Sequence, residues 1–278
     1  MWILTKWIDI WHHRELLINL VKRDLKTRYK MSILGFFWSL LRPLFMMLIF
    51  TVVFSQMFRW DIQMNVPYPV FLLAAILPWQ LLANSVGAGA NTLLVNQNLI
   101  KKVSLPREIF PLSTVIAEII NFGLSLIVLF PFIIAAKISI TPWLLMLPIV
   151  FLMQCILVFG ITLIVSSLNV FFRDTLPLTD LGMQAWFYLS PVFYPVSFVQ
   201  GHLSPLLYKL YLLNPMCVLL TGYRKSLLES GYTVNSGFGT NSPEWIFYLG
   251  ITSIFSIAIL LIGMVIFHYF DRKLADTL

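Results

Sequence analysis

A few polar side chains interrupt the apolar stretches of this 278-residue sequence, and their chemistry needs an explanation. Glu118 and Asn121 lie three residues apart, which places them on one face of a helix. Asn84 and Asn91 share a helical face in the same way, two turns apart. In an apolar environment such residues either line a path for a polar substrate or form hydrogen bonds between helices. The sequence leaves both interpretations open.

The sequence contains none of the common motifs for nucleotide binding or covalent catalysis. It has no GxxxxGK[ST] phosphate-binding loop, no HExxH zinc motif and no GxSxG nucleophile motif. Its two cysteines, Cys155 and Cys217, lie in apolar stretches, where free cysteine behaves as a small hydrophobic residue. We therefore predict that the chain is not an enzyme and holds no cofactor or metal. If it drives uphill transport, a separate ATPase supplies the energy.

The composition indicates a membrane protein. Hydrophobic residues make up 59% of the chain and charged residues only 11%, whereas soluble domains carry about 25% charged residues. A fold this apolar cannot cover its surface with polar groups, so its solvent is lipid. The net charge of +7 is spread between long apolar runs and forms no single basic face, which argues against a nucleic-acid partner.

Long apolar runs define the elements that position the polar residues. A helix needs about 20 apolar residues to cross a bilayer. Six runs approach or exceed this length, and the fifth is the shortest: 35–58, 70–94, 111–136, 143–168, 176–192 and 245–270. The sequence thus predicts an all-α, polytopic membrane protein. Residues 1–33 form a cytoplasmic amphipathic region in this prediction, and residues 34–278 form one six-helix transmembrane domain.

The positions of lysine and arginine predict the orientation. Six spans place both termini on the same side, and fourteen basic residues fall on that side. The other side carries only five: Arg59, Lys137, Lys209, Arg224 and Lys225. The positive-inside rule then predicts that both termini are cytoplasmic, in a multi-pass protein of the bacterial inner membrane.

The first thirty residues have the pattern of a basic amphipathic helix. Trp7 and Trp11 lie on its apolar edge, and Lys22, Arg23 and Lys26 lie on its polar side. Such a helix lies in the plane of the lipid headgroups. It is either a membrane-surface anchor alone or an interface helix that also contacts a cytoplasmic partner.

Residues 95–110 form the longest predicted cytoplasmic connection between spans. The stretch is polar, carries Lys101 and Lys102, and is bounded by Pro106. One interpretation is a solvated loop whose lysines satisfy the topology rule. The other is a short helix that inserts into a groove on a soluble partner and transmits motion into the membrane.

A long stretch on the predicted outer face, 193–244, is too apolar for a solvated loop. Its prolines, including Pro205 and Pro215, are too closely spaced for one continuous span. We predict a re-entrant helical hairpin at 197–228, with a flat amphipathic cap as the alternative. An aromatic cluster precedes the hairpin: Trp186, Tyr188 and Tyr194. The flat faces of these rings suit stacking on sugar rings, although ordinary packing explains the cluster equally well.

Several motifs, in order along nearly the whole chain, resemble the permease subunits of type-2 ABC exporters for cell-surface polysaccharides. The motifs are Arg23–Trp38 with Leu41–Leu44, Asn98–Glu108, Leu168–Asp174, Tyr211–Met216 and the closing Ala275–Asp276. O-antigen and teichoic acid exporters are the most similar members, and capsule exporters are more distant. The glycine-rich stretch at 230–242 is longer than is usual in that family.

The resemblance implies a homodimer docked on two ATPase subunits, which bind ATP and Mg²⁺, and a polyprenyl-diphosphate-linked glycan as substrate. It favours the partner-docking interpretation of the 95–110 stretch, with ATPase-coupling residues Asn98, Leu99, Lys101, Lys102, Pro106, Arg107 and Glu108. The lipid diphosphate would meet basic residues near the inner leaflet: Arg28, Lys30 and Arg42. The glycan would pass Asn84, Asn91, Glu118, Trp186, Tyr188 and Tyr194. The outer gate would include Pro205, Asn214 and Pro215.

Three other functions compete with polysaccharide export. A type-2 exporter of a small drug or lipid would need no aromatic lining along its path. A membrane-embedded glycosyl- or acyltransferase would need a cluster of acidic residues or histidines, and the four histidines form none: His12, His13, His202 and His268. A purely structural scaffold would not need polar residues such as Asn84 and Glu118 inside its spans.

Overall fold

A computed structural model of the chain describes residues 8–29, 37–58, 66–102, 105–139, 141–232 and 243–277. Every regular element within these residues is helical. In chain order the α-helices are α1 (Arg14–Tyr29), α2 (Phe37–Phe58), α3 (Tyr68–Val95), α4 (Gln97–Lys102), α5 (Ile109–Ala135), α6 (Leu147–Phe171), α7 (Thr175–Tyr188), α8 (Val196–His202), α9 (Pro205–Leu212), α10 (Pro215–Tyr232) and α11 (Pro243–Thr277). A 3-10 turn, Pro142–Met146, leads into α6. The prediction of an all-α protein is therefore confirmed for this part of the chain.

Four helical stretches in the described residues are long and apolar enough to cross a membrane: Tyr68–Val95, Ile109–Ala135, Pro142–Phe171 and Glu244–Asp271. They correspond to the second, third, fourth and sixth predicted spans. The first predicted span corresponds to α2, whose described apolar part, Leu40–Phe54, is shorter. The chain is thus a multi-pass membrane protein, and a total of six spans stays a prediction.

The fifth predicted span, 176–192, corresponds to α7, which has 14 residues and ends at Tyr188. A helix of that length extends about 21 Å, less than the roughly 30 Å of a hydrocarbon core. Near its end, Trp186 packs edge-on against Trp79, with 6.1 Å between the ring centroids. Trp79 lies about 16 Å along α3 from its first residue. The end of α7 is therefore level with the middle of α3.

Helix α3 is the centre of the fold. It packs against α2, α5, α6, α7 and α10, and side chains such as Phe71, Leu72 and Leu82 are fully buried. Because most of its circumference is covered, α3 is apolar on nearly every face rather than along one stripe. The polar side chains that do occur on it therefore contact other helices or line a cavity between them.

Helices α6 and α11 pack closely against each other at two glycines. A Cβ atom added at Gly160 would lie 2.7 Å from the Leu260 backbone nitrogen, and one at Gly263 would lie 2.5 Å from the Gly160 carbonyl oxygen. Small residues let helix backbones approach closely where lipid provides no hydrophobic driving force. These two glycines thus make α6 and α11 a tightly packed unit.

Helix α1 packs along α5 through an apolar face that includes Leu20 and Val21. Arg23 anchors it by donating a hydrogen bond from Nη1 to the side-chain oxygen of Asn96, at 2.7 Å. Asn96 is the residue between α3 and α4. Helix α1 is therefore attached to the junction that also positions α4.

Candidate functional site

A polar groove brings together residues that the sequence analysis places in different roles. It is a cavity of about 620 Å³ between α2, α3 and α5. Arg42, Asn84 and Glu118 all line it. The remaining lining side chains are Trp38, Phe45, Met46, Ile49, Leu77, Gln80, Leu81, Asn121, Phe122 and Ser125. A cation, a carboxylate and several amides thus share one cavity with an apolar surround.

Glu118 is buried, with only 2% of its surface exposed, and it lies about nine residues into α5. The amide nitrogen of Asn121 donates to its Oε2 across 3.4 Å, and the hydroxyl of Ser125 donates to the Asn121 carbonyl oxygen at 2.9 Å. These three residues form the polar edge of α5 that faces the groove. The predicted sharing of one helical face by Glu118 and Asn121 is therefore present in the structure.

A second cavity, of about 310 Å³, adjoins the polar groove between α2, α3 and α7. The two cavities share four lining residues: Arg42, Met46, Gln80 and Asn84. The rest of the second cavity's lining is more aromatic: Phe50, Ile76, Trp79, Ala83, Met183, Gln184, Phe187 and Tyr188. We call it the aromatic groove. Arg42, which is exposed, borders both cavities, so one guanidinium can reach a ligand in either.

Hydrogen bonds join the predicted aromatic cluster to the predicted outer gate. Trp186 Nε1 donates to Asn214 Oδ1 at 2.8 Å, and Asn214 Nδ2 donates to the Leu189 carbonyl and the Ser190 hydroxyl, each at 3.1 Å. The hydroxyl of Tyr194 donates to the Tyr188 carbonyl at 3.1 Å. The junction before α10 is thereby fastened to the end of α7.

The residues predicted to couple the chain to an ATPase divide into two groups. Asn98, Lys101 and Lys102 on α4 are exposed, Leu99 is half-buried, and the neighbouring Ile100 packs inward. Pro106 and Arg107 are half-buried, and Glu108 is buried. Arg107 donates to both the backbone oxygen and the carboxylate of Asp271 on α11. The surface available to a partner is therefore α4, while Arg107 makes contacts within the chain.

The other predicted site residues are more scattered. Asn91 accepts a hydrogen bond from Asn169 of α6 at 3.2 Å and does not line either groove. Pro205 is exposed at the start of α9, and Pro215 is buried at the start of α10. Arg28 belongs to α1 but its side chain lies outside the described residues, as does the whole of Lys30.

Two buried cations on α10 are absent from the predicted site. The sequence analysis counts Arg224 and Lys225 as outer-face charges, but both are buried inside the protein. The Lys225 ammonium lies 3.7 Å from the Trp143 ring centroid and 4.9 Å from that of Trp245, a cation–π arrangement. The sequence did contain a signal for these two residues, because they form an Arg-Lys pair inside an apolar helical run. A charge in such a run is energetically costly and therefore indicates a specific role.

Gln80 is a second omission. It lies one turn before Asn84 on α3 and lines both grooves. The spacing of four residues placed it on the same helical face as Asn84, so the sequence did contain the signal.

The helices indicate a membrane protein, and the sequence assigns its class. Residues 15–228 match the ABC-2 type transporter family, and the chain belongs to that family. The match extends from the amphipathic helix α1 to near the end of α10.

Individual relatives are similar over most of the chain. The O-antigen export system permease protein RfbA of Myxococcus xanthus is 34% identical over 226 residues, which are 80% of this chain and 83% of that protein. The protein of the same name from Klebsiella pneumoniae is 30% identical over 267 residues, 95% of each chain.

Proposed function

We propose that this chain is the permease subunit of an ABC transporter that exports a polyprenyl-diphosphate-linked polysaccharide such as O-antigen. The observation that carries the proposal is the joint lining of one groove by Arg42, Asn84 and Glu118, in a chain similar to O-antigen export permeases. The permease binds and conducts, and a separate ATPase subunit binds ATP and Mg²⁺. No covalent step takes place on this chain.

The two grooves suit the two parts of such a substrate. Arg42 borders both, and a guanidinium forms strong, often bidentate, hydrogen bonds to phosphate. Gln80, Asn84 and Asn121 offer amide donors and acceptors to sugar hydroxyls. Trp79 and Tyr188 in the aromatic groove present flat faces that tolerate a sliding polymer. We assign the diphosphate to Arg42 and the glycan to the amide and aromatic lining.

The proposed architecture has six spans, with both termini on the cytoplasmic side of the bacterial inner membrane. The fifth crossing consists of α7 and the non-helical residues that follow it, up to Phe193, whose carbonyl accepts a hydrogen bond from Tyr68 at the start of α3. Residues 1–33 provide the interface region and residues 34–278 the membrane domain. The distribution of basic residues supports this orientation. The exposed Trp11 and the exposed Lys22 and Lys26 on α1 support contact with anionic lipid headgroups.

The proposed outer gate is a re-entrant hairpin made of α8, α9 and α10. Asn214, just before α10, contacts Trp186, which is level with the middle of α3. Further along α10, Arg224 contacts Phe71, one turn from the start of α3. The hairpin thus enters from the outer side, turns near Asn214 and returns along α3. Irregular backbone at this depth is tolerated where protein groups satisfy it, as the Asn214 amide does for the Leu189 carbonyl.

Two protein partners complete the proposed transporter. The exposed side chains of Asn98, Lys101 and Lys102 on α4 would dock on the ATPase subunit. A second copy of the chain would cover apolar side chains that are exposed on α2 and α9, including Ile49 and Leu206. The grooves beside α2 would then open between the two copies.

Complementation tests the proposed function. A bacterium that synthesises lipid-linked O-polysaccharide but lacks its export permease receives this chain together with the ATPase subunit, and surface polysaccharide is measured. The wild-type chain should restore surface polysaccharide, and Arg42→Ala should reduce it at least about tenfold, because a hydrogen-bonded charge pair is worth several kcal/mol. Thr179→Ala on α7, outside both grooves, serves as the control. Full export by Arg42→Ala would contradict the assignment.

A further inference from the structure

Between α7 and α8 the chain leaves helical geometry for seven residues, 189–195, which we call the break segment. Backbone carbonyls in a non-helical segment have no intrahelical hydrogen-bond partner. An unsatisfied carbonyl away from water costs several kcal/mol, and lipid cannot satisfy it. Because α7 ends level with the middle of α3, the break segment needs hydrogen-bond donors from the protein itself.

Arg224 supplies those donors. Its Nη1 donates to the Pro191 carbonyl oxygen and its Nη2 to the Val192 carbonyl oxygen, each at 2.6 Å. Its Nε donates to the Phe71 carbonyl oxygen of α3 at 3.2 Å. The guanidinium also lies 3.5 Å from the centroid of the Phe71 ring. The side chain has no exposed surface. One buried residue of α10 therefore joins α3, α10 and the break segment.

Only arginine can make this set of contacts. Its planar group carries five N–H donors in a fixed fork, whereas lysine has three donors on one nitrogen. Two carbonyls of the break segment and one of α3 are reached from three different nitrogens of Arg224. A lysine at this position keeps the charge but cannot bridge the same oxygens.

The break segment in turn borders the aromatic groove. Its Phe193 ring stacks on Phe54 of α2, with centroids 4.9 Å apart, and also contacts Phe187, which lines that groove. At the other side of the segment, the Tyr68 hydroxyl donates to the Phe193 carbonyl oxygen at 2.8 Å. Any displacement of the break segment therefore disturbs Phe193 and, through it, the Phe187 side chain that lines the groove.

We infer that Arg224 is the positioning residue that holds the break segment against α3 and thereby excludes water from this segment beside the aromatic groove. Release of the carbonyls of Pro191 and Val192 frees the segment, and Phe193 moves away from α2. The inference rests on the proposed export function for its physiological meaning. Its physical content, a local closure maintained by one side chain, holds whatever the substrate is.

Thiol labelling tests the inference. Val192 is fully buried, so a cysteine at this position, in a chain whose Cys155 and Cys217 are replaced by alanine, reports water access to the break segment. A charged methanethiosulfonate reagent should modify Val192→Cys slowly. Adding Arg224→Lys should raise the labelling rate at least about tenfold, because several hydrogen bonds to a charged donor are lost.

Two further variants test whether an increase in labelling comes from loss of the Arg224 contacts or from general loosening of the fold. Lys225→Met removes the neighbouring buried cation and should change labelling less than about twofold. Tyr68→Phe removes one hydroxyl bond to Phe193 and should give a smaller increase than Arg224→Lys. Arg224→Gln, which removes the charge and leaves only two N–H donors on one nitrogen, serves as the test if Arg224→Lys does not fold. An unchanged rate in Arg224→Lys, or in Arg224→Gln when it is the test, overturns the inference. So does an equal rise in Lys225→Met, which would indicate general loosening.

The labelling requires no substrate, so its outcome is separate from the complementation test. If Arg42→Ala exports as well as the wild-type chain while the labelling follows the expected pattern, the proposed function is contradicted and the role of Arg224 still stands.

Discussion

Arg107 and Asp271 form an ion pair, with 3.0 Å between Nη1 and Oδ1, that ties the loop after α4 to the far part of α11. The two side chains are about one-fifth exposed. The pair therefore fixes the loop to the rest of the chain, while Lys101 and Lys102, only a few residues earlier, point to solvent. Basic residues that look alike in the sequence thus have different partners.

This difference predicts two phenotypes. Replacing both Lys101 and Lys102 with glutamate should weaken binding of the ATPase subunit at least about tenfold, because like charges at an interface cost several kcal/mol. The thermal stability of the isolated chain should not change. Co-purification and the ATPase rate of the complex measure the effect, after membrane insertion has been verified. Unchanged binding and unchanged ATP hydrolysis would show that α4 is an ordinary solvated helix that does not contact the ATPase subunit.

Arg107→Gln should behave in the opposite way. It should lower the free energy of unfolding by about 1 kcal/mol, since the ion pair is only partly buried. Asp271→Asn should have a similar effect, and the double variant should be no worse than either single one. A denaturant series on the purified chain measures these values. Strictly additive losses would show that the two residues do not stabilise the fold through each other.

The close packing of α6 on α11 predicts that one added methyl group at this contact lowers the stability of the protein. Gly160→Ala and Gly263→Ala should each destabilise the protein by about 1–3 kcal/mol, because the new Cβ would overlap backbone atoms that cannot move independently. Gly123→Ala and Gly250→Ala are matched controls, since nothing lies within 4 Å of a Cβ at either position. Equal stability of all four variants, measured by thermal unfolding in detergent, would contradict the close packing.

The hydrogen bonds of Asn214 predict that its substitutions lower the free energy of unfolding by different amounts. Asn214→Ala leaves Trp186 Nε1, the Leu189 carbonyl and the Ser190 hydroxyl without this partner, and should destabilise the protein by about 1–3 kcal/mol. Asn214→Asp keeps an acceptor for Trp186 and for the Met216 backbone N–H, so its loss should be smaller. Unfolding free energies measure the series. A larger loss for aspartate than for alanine would mean that the acceptor oxygen is not what matters.

The re-entrant hairpin predicts that Gln200 on α8 and Glu244 at the start of α11 face the same side of the membrane. Both are exposed. Cysteines at these positions, in a chain without Cys155 and Cys217, should both react with an impermeant thiol reagent from outside the cell. Labelling of the two positions from opposite sides would require an additional crossing between them and would reverse α11.

Apolar length and spacing predicted the helices well, because a segment in lipid satisfies its backbone hydrogen bonds internally and its apolar run alone then indicates a helix. The four long spans agree with prediction to within a few residues. The end of α7 was missed because an apolar run continues to Val192, and only the contacts of Leu189, Ser190 and Pro191 with Asn214 and Arg224 show where the helix stops.

Helical spacing also predicted part of the candidate site, but the packing of one helix on another could not be predicted. The face shared by Glu118 and Asn121 follows from helical spacing alone. Their position beside Arg42 requires the packing of α2 against α3 and α5, which no local pattern encodes. Arg224 was assigned to the surface because a charge rule counts residues and does not consider buried carbonyls that need a donor.

Transport by the reconstituted complex tests the central claim most directly. Inverted membrane vesicles containing this chain and its ATPase subunit receive lipid-linked O-polysaccharide on the outer surface, and the fraction protected from an added glycosidase is measured with and without ATP. We predict ATP-dependent protection that requires both proteins, and no ATP hydrolysis by this chain alone. ATP hydrolysis by the purified chain, or an absence of protection when both proteins are present and hydrolysing ATP, would contradict the account.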